Sequence, residues 1–475
     1  MGKTKIVATI GPSSESKTKI KELIKAGVDC FRFNMKHGEF SWHEETLDKV
    51  RQVSEEMGRP VAIMMDLQGP EIRTGDIKGQ MILKRGEEVY LIDNEQFKKA
   101  KIKTITIDKP GVVEQLKKGQ KVLIDDGFLV FRVIEDGRKG RVKMKVRFGG
   151  VLTSRKGVNL PGVDLKTPLL LKRDYQALEI KNNQEVDWVC LSFVKEAKDI
   201  KRLKEELKKR KMEAGVIAKI ERQKALDNLK EIIEEADGVM IARGDLGVEV
   251  ALEEVPFWQK EIIKRCREAG KPVITATQML QSMISCPAPT RAEISDIANA
   301  VYDGTDAVML SAETATGSFP VEAVKVMRKE TSFIEKRVEY LKMELIFKKM
   351  GQTAAMVMAA NEVIEHGYKG VFDLSAAVVL TETGRTVRYL SRLKPKLKII
   401  GVSDNKTTRD KMKLIWGVKP YFFKYRKHSA VSVKRILKFL REKKELKKGQ
   451  SVVMIYGELW GRPGLTSVVR IQTVV

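Results

Sequence analysis

The stretch that decides the fold is Gly215–Val250, GVIAKIERQKALDNLKEIIEEADGVMIARGDLGVEV. It holds two short apolar runs, Val216–Ile220 and Val239–Ala242, and each ends in charge. Lys219-Ile220-Glu221 closes the first, and Arg243-Gly244-Asp245-Leu246-Gly247 follows the second as a turn. Between them Leu226, Leu229, Ile232 and Ile233 recur at helical spacing, which predicts one helix over Gln223–Ala236. The unit is strand–helix–strand. Parallel sheets and barrels of such units carry their chemistry at the strand C-termini. Lys219, Glu221 and Asp245 are therefore expected at one mouth, where two carboxylates and a lysine suit a hard divalent cation and an anionic substrate. The plainer alternative is a surface ion-pair network.

Outward from this unit the alternation continues in both directions. Upstream the chain reads strand Lys5–Thr9, helix Ser16–Ala26, strand Cys30–Asn34, helix Glu44–Met57 and strand Val61–Leu67. Downstream lie the runs Trp188–Ser192, Pro272–Ala276 and Ala307–Leu310. Three strands before residue 72 and five after 166 make eight βα units, hence an α/β chain built on a (β/α)8 TIM barrel. Between them the texture changes to short alternating runs (Val89–Ile92, Thr104–Ile107, Lys121–Ile124, Leu129–Ile134, Arg141–Phe148) punctuated by glycine, which reads as a small all-β module. The expected organisation is residues 1–71 and 166–340 as the catalytic barrel, 72–165 as an inserted β-barrel lid, and 341–475 as a C-terminal α/β effector domain. In that last part Thr353–Glu365 is helical, Ala376–Leu380 is a buried strand, Val387–Leu393 is a helix, and Ile399–Val402 and Ser451–Ile455 are further apolar runs.

Composition narrows the class. With 475 residues and 43% apolar content the chain has room for about three domains with sizeable cores. It contains no apolar run of membrane-spanning length, and MGKTKIVATIGP is not a secretory leader, so a cytoplasmic location without membrane association is expected. Cys30, Cys190, Cys266 and Cys286 are scattered and read as small buried hydrophobes. The net charge of +26 invites a nucleic-acid reading, but the lysines alternate with glutamates on helices and no aromatic-interleaved basic stripe accompanies them. Specific nucleic-acid binding is not expected; heavy Lys/Glu use fits a heat-adapted surface.

Placed on eight strands, Arg32, Asn34, Asp66, Ser192, Lys219, Glu221, Asp245, Thr277, Ser311 and Glu313 all fall at or just past a C-terminus. Glu221 and Asp245 offer oxygen ligands for Mg2+ or Mn2+. The N–H groups of Gly244 and Asp245 can cradle a carboxylate. Arg32 has the fork to grip a phosphoryl group, and Lys219 sits where charge would develop on a transferring group or an enolate. Thr277 adds a hydroxyl, with helix capping as its alternative role.

Ile217-Ala218-Lys219-Ile220-Glu221 followed by Ala242-Arg243-Gly244-Asp245-Leu246-Gly247 resembles the active-site signature of the pyruvate kinase family, and the resemblance runs from Thr9-Ile10-Gly11-Pro12 to the last glycine-rich loop. It implies transfer of the phosphoryl group of phosphoenolpyruvate to ADP, giving pyruvate and ATP, the final step of glycolysis. Lys219 and Arg32 would stabilise the phosphoryl group, Glu221 and Asp245 would hold the divalent ion, and Thr277 would serve enolate protonation. The substrate contacts would be Arg32, Ser192, Lys219, Gly244, Asp245 and Thr277. The nucleotide is expected against Pro12, Asn34, His37, Arg73 and Lys156, with Asp126 on the lid closing onto it. Alternatives are a partnerless loop histidine for His37 and a hairpin-turn aspartate for Asp126. A lid hinged near Gly69-Pro70 and Pro161-Gly162 would exclude water. The family also implies a homotetramer, with Pro289–Glu293 opening an interface helix.

Two further expectations concern regulation and the monovalent cation. Thr381, Thr383, Gly384, Arg385 and Thr386 match the family's phosphate-binding effector loop, for a sugar phosphate or AMP, with Trp460–Gly464 closing over it; the alternative is an ordinary glycine turn. The family's K+ site corresponds to Asn34, Lys36, Asp66 and Leu67. Lysine stands at position 36 where the family carries serine, so its ammonium is expected to replace K+ beside Asp66, with Glu71 pairing the cation. The alternative is a solvent-facing Lys36. Two other functions compete: a barrel enzyme forming a pyruvate enolate at a Glu/Asp metal site, and a non-enzymatic phosphometabolite sensor.

Overall fold

The computed structural model describes residues 2–93, 102–163, 168–340, 351–367, 374–424, 430–458 and 465–474. Eight parallel strands close into a barrel: Lys5–Thr9, Cys30–Asn34, Ala62–Asp66, Trp188–Leu191, Gly215–Ile220, Gly238–Ala242, Val273–Ala276 and Ala307–Leu310. The third strand pairs directly with the fourth (Trp188 opposite Met64), so the long insertion leaves the ladder intact. The first and eighth close the ring, with Lys5 opposite Ala307. Val7, Cys30, Met64, Cys190, Ile217, Met240, Ile274 and Met309 fill the interior, and Leu414 from the C-terminal part plugs the floor. Alternate residues face the surrounding helices in a second, larger core, as period-2 strands require.

Several local expectations are corrected. The helix expected over Gln223–Ala236 is two, Gln223–Asp227 and Leu229–Glu235. Asn228 leaves helical geometry between them (φ −106°, ψ 20°) and its Nδ2 donates to the Lys195 carbonyl at 2.9 Å. The helix expected from Glu44 begins at Phe40. Arg243–Gly247 is not a turn but the opening of a helix, Arg243–Glu249, entered directly from the sixth strand. Cys286 is exposed; the other three cysteines are buried.

The insertion is a seven-stranded sheet in the order Ile72–Arg73, Gly157–Asn159, Lys121–Ile124, Leu129–Val133, Arg141–Phe148, Glu88–Ile92, Thr104–Thr106. Its edges meet through the Thr74–Ile107 bridge and the bonds Gly75 N–H to Thr106 O (2.8 Å) and Asp108 N–H to Arg73 O (3.0 Å), which roll the sheet into a barrel. The strands Ile72–Arg73, Met81–Leu83, Gly150–Leu152 and Gly157–Asn159 are too short to show a period and escaped the sequence reading.

The C-terminal part is a five-stranded sheet, with Val418–Phe422, Lys398–Ser403, Leu374–Leu380 and Ser451–Tyr456 parallel and Val468–Thr473 antiparallel at the edge. Separate cores cover its two faces. Among the described residues no helix is long and apolar enough to cross a membrane.

Candidate active site

Strand alternation builds the site. Ile217 points into the barrel interior, so Lys219 and Glu221, two and four residues on, project from the same face at the mouth. Cys30 aims Arg32 inward in the same way, Met64 aims Asp66, and Cys190 aims Ser192. One cavity is lined by Arg32, Asn34, Lys36, Asp66, Leu67, Ser192, Lys219, Glu221, Asp245 and the lid's Asp126. These side chains come from five different barrel strands or the segments just past them, and from the lid.

Within it the charges are tightly matched. Arg32 Nε and Nη2 lie 2.8 and 2.6 Å from Asp66 Oδ2, and Nη1 donates to Thr9 Oγ1 at 2.9 Å. Lys219 Nζ donates to Ser192 Oγ at 2.8 Å and lies 3.4 Å from Glu221 and 3.5 Å from Asp66. Burial opposes the charge on Lys219, but Asp66, Glu221 and Asp245 together outweigh it and hold its pKa above the ordinary lysine value. Asp66 is driven the other way: burial favours its neutral form, and Lys219 and Arg32 overcome that and lower its pKa. Glu221, whose carboxylate accepts the Phe193 N–H, is pushed up to about 7 by burial, with Asp245 adding repulsion against the pull of Lys219. Asp126 is raised by burial and by Asp245 and Asp125.

Glu221 and Asp245 are two oxygen donors facing one cavity, the donor chemistry of a hard divalent ion, and their mutual repulsion is what a dication would relieve. Asp66 Oδ1 is buried without a hydrogen bond. The Lys36 ammonium lies 2.7 Å from Glu71, which also faces Arg73 at 3.3 Å, so the carboxylate that Lys36 meets is Glu71 and not Asp66. Asn34 Oδ1 accepts the Lys36 N–H at 3.3 Å, and the Leu67 carbonyl accepts from Ser192 Oγ at 2.9 Å.

Thr277 and Gly244 stand beside the cavity rather than in its lining. The Gly244 N–H donates to Thr277 Oγ1 at 2.8 Å, so it is not free to cradle a carboxylate as the sequence suggested. Thr277 Oγ1 itself donates to Ala276 O at 2.6 Å. Thr277 and Gln278 both adopt left-handed backbone (φ 66° and 56°), the kind of local strain that collects at functional sites. Buried Arg243 pins this turn: its Nη2 donates to Thr277 O at 2.7 Å while Nη1 bonds Asp296 at 2.6 Å. Arg243 stands in the Arg-Gly-Asp motif, but nothing local in the sequence marks it for this task.

The nucleotide set is only partly gathered. Asn34 and Asp126 line the cavity; Pro12, His37, Arg73 and Lys156 do not. Lys156 pairs with Asp125 at 2.8 Å, Arg73 Nη1 donates to Arg155 O at 2.7 Å, and the exposed His37 ring makes no hydrogen bond among the described residues. Asp126 is a turn residue (φ 53°) and a cavity residue at once. Sequence reasoning missed Phe193, Arg222 and Glu249, which also line the cavity. Arg222 adjoins the Lys-Ile-Glu motif, which was the available signal.

In the C-terminal part, Thr381 Oγ1 accepts the Gly384 N–H at 2.9 Å, Gly384 has φ 77°, and Thr386 Oγ1 lies 3.0 Å from Thr466 Oγ1. Thr383 O accepts from Arg388 at 3.3 Å, and the following helix starts at Arg385, two residues before the expected Val387. Trp460–Gly464 lies outside the described residues.

The chain matches the family model described as pyruvate kinase, barrel domain, over residues 1–324 and that described as pyruvate kinase, alpha/beta domain, over residues 354–472. It is 39% identical over 476 residues to a pyruvate kinase of Staphylococcus aureus (strain MRSA252), covering all of this chain and 81% of that protein. It is also 39% identical over 479 residues to pyruvate kinase 2 of Synechocystis sp. (strain ATCC 27184 / PCC 6803 / Kazusa), covering 99% of this chain and 79% of that one. With an eight-stranded barrel, a closed β insertion, a C-terminal α/β sheet and Lys219 between Asp66 and Glu221, the chain belongs to the pyruvate kinase family.

Proposed function

We propose that this cavity passes the phosphoryl group of phosphoenolpyruvate to ADP, releasing pyruvate and ATP, with Lys219 as the central cation. The observation that carries the reading is the largely enclosed Lys219 ammonium, fixed by Ser192 at 2.8 Å and held charged by its carboxylate neighbours. A preorganised cation costs no reorganisation when negative charge moves between the leaving and attacking oxygens. Arg32 is the second cation; its two-nitrogen grip on Asp66 fixes the guanidinium so that its remaining edge meets the phosphoryl group. Glu221 and Asp245 would hold Mg2+ or Mn2+, which when bound supplies positive charge to phosphate, carboxylate and enolate oxygens. Thr277, held by the Arg243 contact to its carbonyl, orients the water that protonates the enolate.

The lid, turning about Gly69-Pro70 and Pro161-Gly162, brings Asp126 over the nucleotide and keeps water from the transferring group. Lys36, paired to Glu71, supplies the charge that K+ supplies in many relatives, so no K+ is required. Thr381–Thr386 takes the phosphate of a sugar phosphate or AMP, a homotetramer forms with the helix Arg291–Asp303 at an interface, and the enzyme works in the cytoplasm; these three readings rest on the family. The alternatives of another enolate-forming barrel enzyme or a sensor are not favoured by matches to pyruvate kinases over the whole chain. The deciding experiment is pyruvate formation from phosphoenolpyruvate with ADP, with and without Mg2+. Turnover only with both ADP and the metal is expected, and pyruvate formation independent of ADP would reject the reading.

A further inference from the structure

The cations of the catalytic cavity are almost all committed. Arg32 is bonded to Asp66, Lys219 lies between Asp66 and Glu221, and Lys36 is paired with Glu71. Arg222, which lines the same cavity, differs. Among the described residues its side chain makes neither an ion pair nor a hydrogen bond, and its Nε is buried without a partner. Glu249, in the same lining, feels the Arg222 charge but forms no ion pair with it.

Arg222 is nevertheless held in place. Its guanidinium stacks over the Phe193 ring, 4.5 Å from the centroid. Phe193 is itself fixed: it adopts left-handed backbone at φ 60°, and its N–H is tied to Glu221. Gly69 packs against that ring so closely that a Cβ there would sit 2.8 Å from it, which leaves the ring little room to swing. Stacking satisfies the face of the guanidinium and leaves its in-plane N–H donors unused. A half-buried guanidinium needs partners for its in-plane donors, and an anion entering the cavity supplies them.

We propose that Arg222 is a further substrate-binding residue, whose free N–H donors take an anionic phosphate oxygen from the side of the cavity three strands round the barrel from Lys36. Binding there breaks no existing pair, whereas the charges of Arg32 and Lys36 are already shared with Asp66 and Glu71. The phosphate oxygen belongs either to phosphoenolpyruvate or to the nucleoside diphosphate. The inference rests on the phosphoryl-transfer reading above, and the test separates the two sources and the two readings.

The test uses the full chain and its Arg222→Gln, Arg222→Met and Arg222→Lys variants. Initial rates are measured over a grid of phosphoenolpyruvate and ADP concentrations, and the binding of each substrate alone is measured by calorimetry. In the Gln and Met variants, KM and Kd for one substrate should rise together by about tenfold while kcat stays within about threefold, the size expected for one charge-assisted contact. A rise confined to phosphoenolpyruvate assigns the contact to that substrate, and a rise confined to ADP assigns it to the nucleotide. Arg222→Lys, which keeps the charge without the planar fork, should recover part of the loss; a merely structural arginine would show no such ordering. Values of KM and Kd within twofold of the unmodified protein for both substrates would overturn the proposal, as would a fall in kcat at constant KM. If the unmodified protein does not turn over, the phosphoryl-transfer reading fails while the calorimetric arm still decides the role of Arg222.

Discussion

Two lysines are largely withdrawn from solvent at opposite ends of the same barrel, and the protein treats them oppositely. Lys219 stands at the mouth with its side chain 12% exposed; Lys394, contributed by the C-terminal part, lies against the floor with its side chain 0% exposed. Burial opposes the charge on both. At the mouth Asp66, Glu221 and Asp245 together reverse that effect and push the lysine pKa up. At the floor burial wins: Asp306 at 3.4 Å is the main opposing influence, Arg267 works against it, and Lys394 falls to about 8. It also approaches the Thr305 carbonyl at 3.5 Å and the Trp416 ring, 4.6 Å to the centroid. Burial alone therefore does not set a lysine's charge; the carboxylates facing it do. The mouth keeps a cation charged across physiological pH, as phosphoryl transfer demands. The floor uses its lysine to dock the C-terminal part beneath the seventh and eighth strands, where Asp306 also accepts the N–H groups of Val273 and Trp416.

The largest test of this contrast is Lys219→Met, which should lower kcat by a thousandfold or more, about 4 kcal/mol, with phosphoenolpyruvate affinity kept within about tenfold. Rate and binding measured separately check it; near-normal turnover would remove Lys219 from its role. Next is the floor. Because the pKa of Lys394 falls from 10.5 to about 8 on folding, the unfolded chain binds more protons between those values. Its contribution to stability should therefore rise as pH increases from 8 towards 10.5, by up to about 3 kcal/mol relative to Lys394→Met. Denaturant titrations of both proteins across that range test the sign; a constant difference would mean that Lys394 stays charged. The smallest expected effect is at Lys36. The unmodified protein should work equally in potassium, sodium and tetramethylammonium salts of matched ionic strength, and Lys36→Ser should acquire a roughly tenfold activation by K+, worth about 1.4 kcal/mol. Strong K+ activation of the unmodified protein would show that Lys36 is no substitute.

The two ends of the barrel also differ in how far they could be read beforehand. The mouth was legible because Arg32, Asp66, Lys219 and Glu221 each fall at or just past the end of a short apolar run, and such strand ends share one face of a barrel. The floor was not. Nothing in the string around Lys394, Asp306 or Leu414 marks them as neighbours, since they meet only through packing of the C-terminal sheet against the barrel. The same limit applies in miniature within the site. Thr277 was placed at a strand end, but its occupation of the Gly244 N–H depends on where the sixth and seventh strands set their following segments. Reading Arg243–Gly247 as a turn failed for a related reason: glycine-rich spacing resembles a loop until the preceding strand and Leu246, buried in the core, commit it to a helix.

What the sequence determined by itself was periodic and local: eight βα units, an interrupting module of short alternating strands, and charged residues at one end of the barrel. Those follow from backbone geometry, in which a period of two or 3.6 residues forces side chains to given faces irrespective of what packs against them. What only the tertiary structure decided was pairing between elements distant in the chain. It decided that Lys36 takes up its expected pairing with Glu71 instead of facing solvent, that Lys219 is fixed by Ser192, that Arg222 is left with unused donors above Phe193, and that Lys394 is buried against Asp306. Each depends on distances between separate strands, and those are set by the closure of the barrel and the seating of the two other parts on it, which no local pattern encodes.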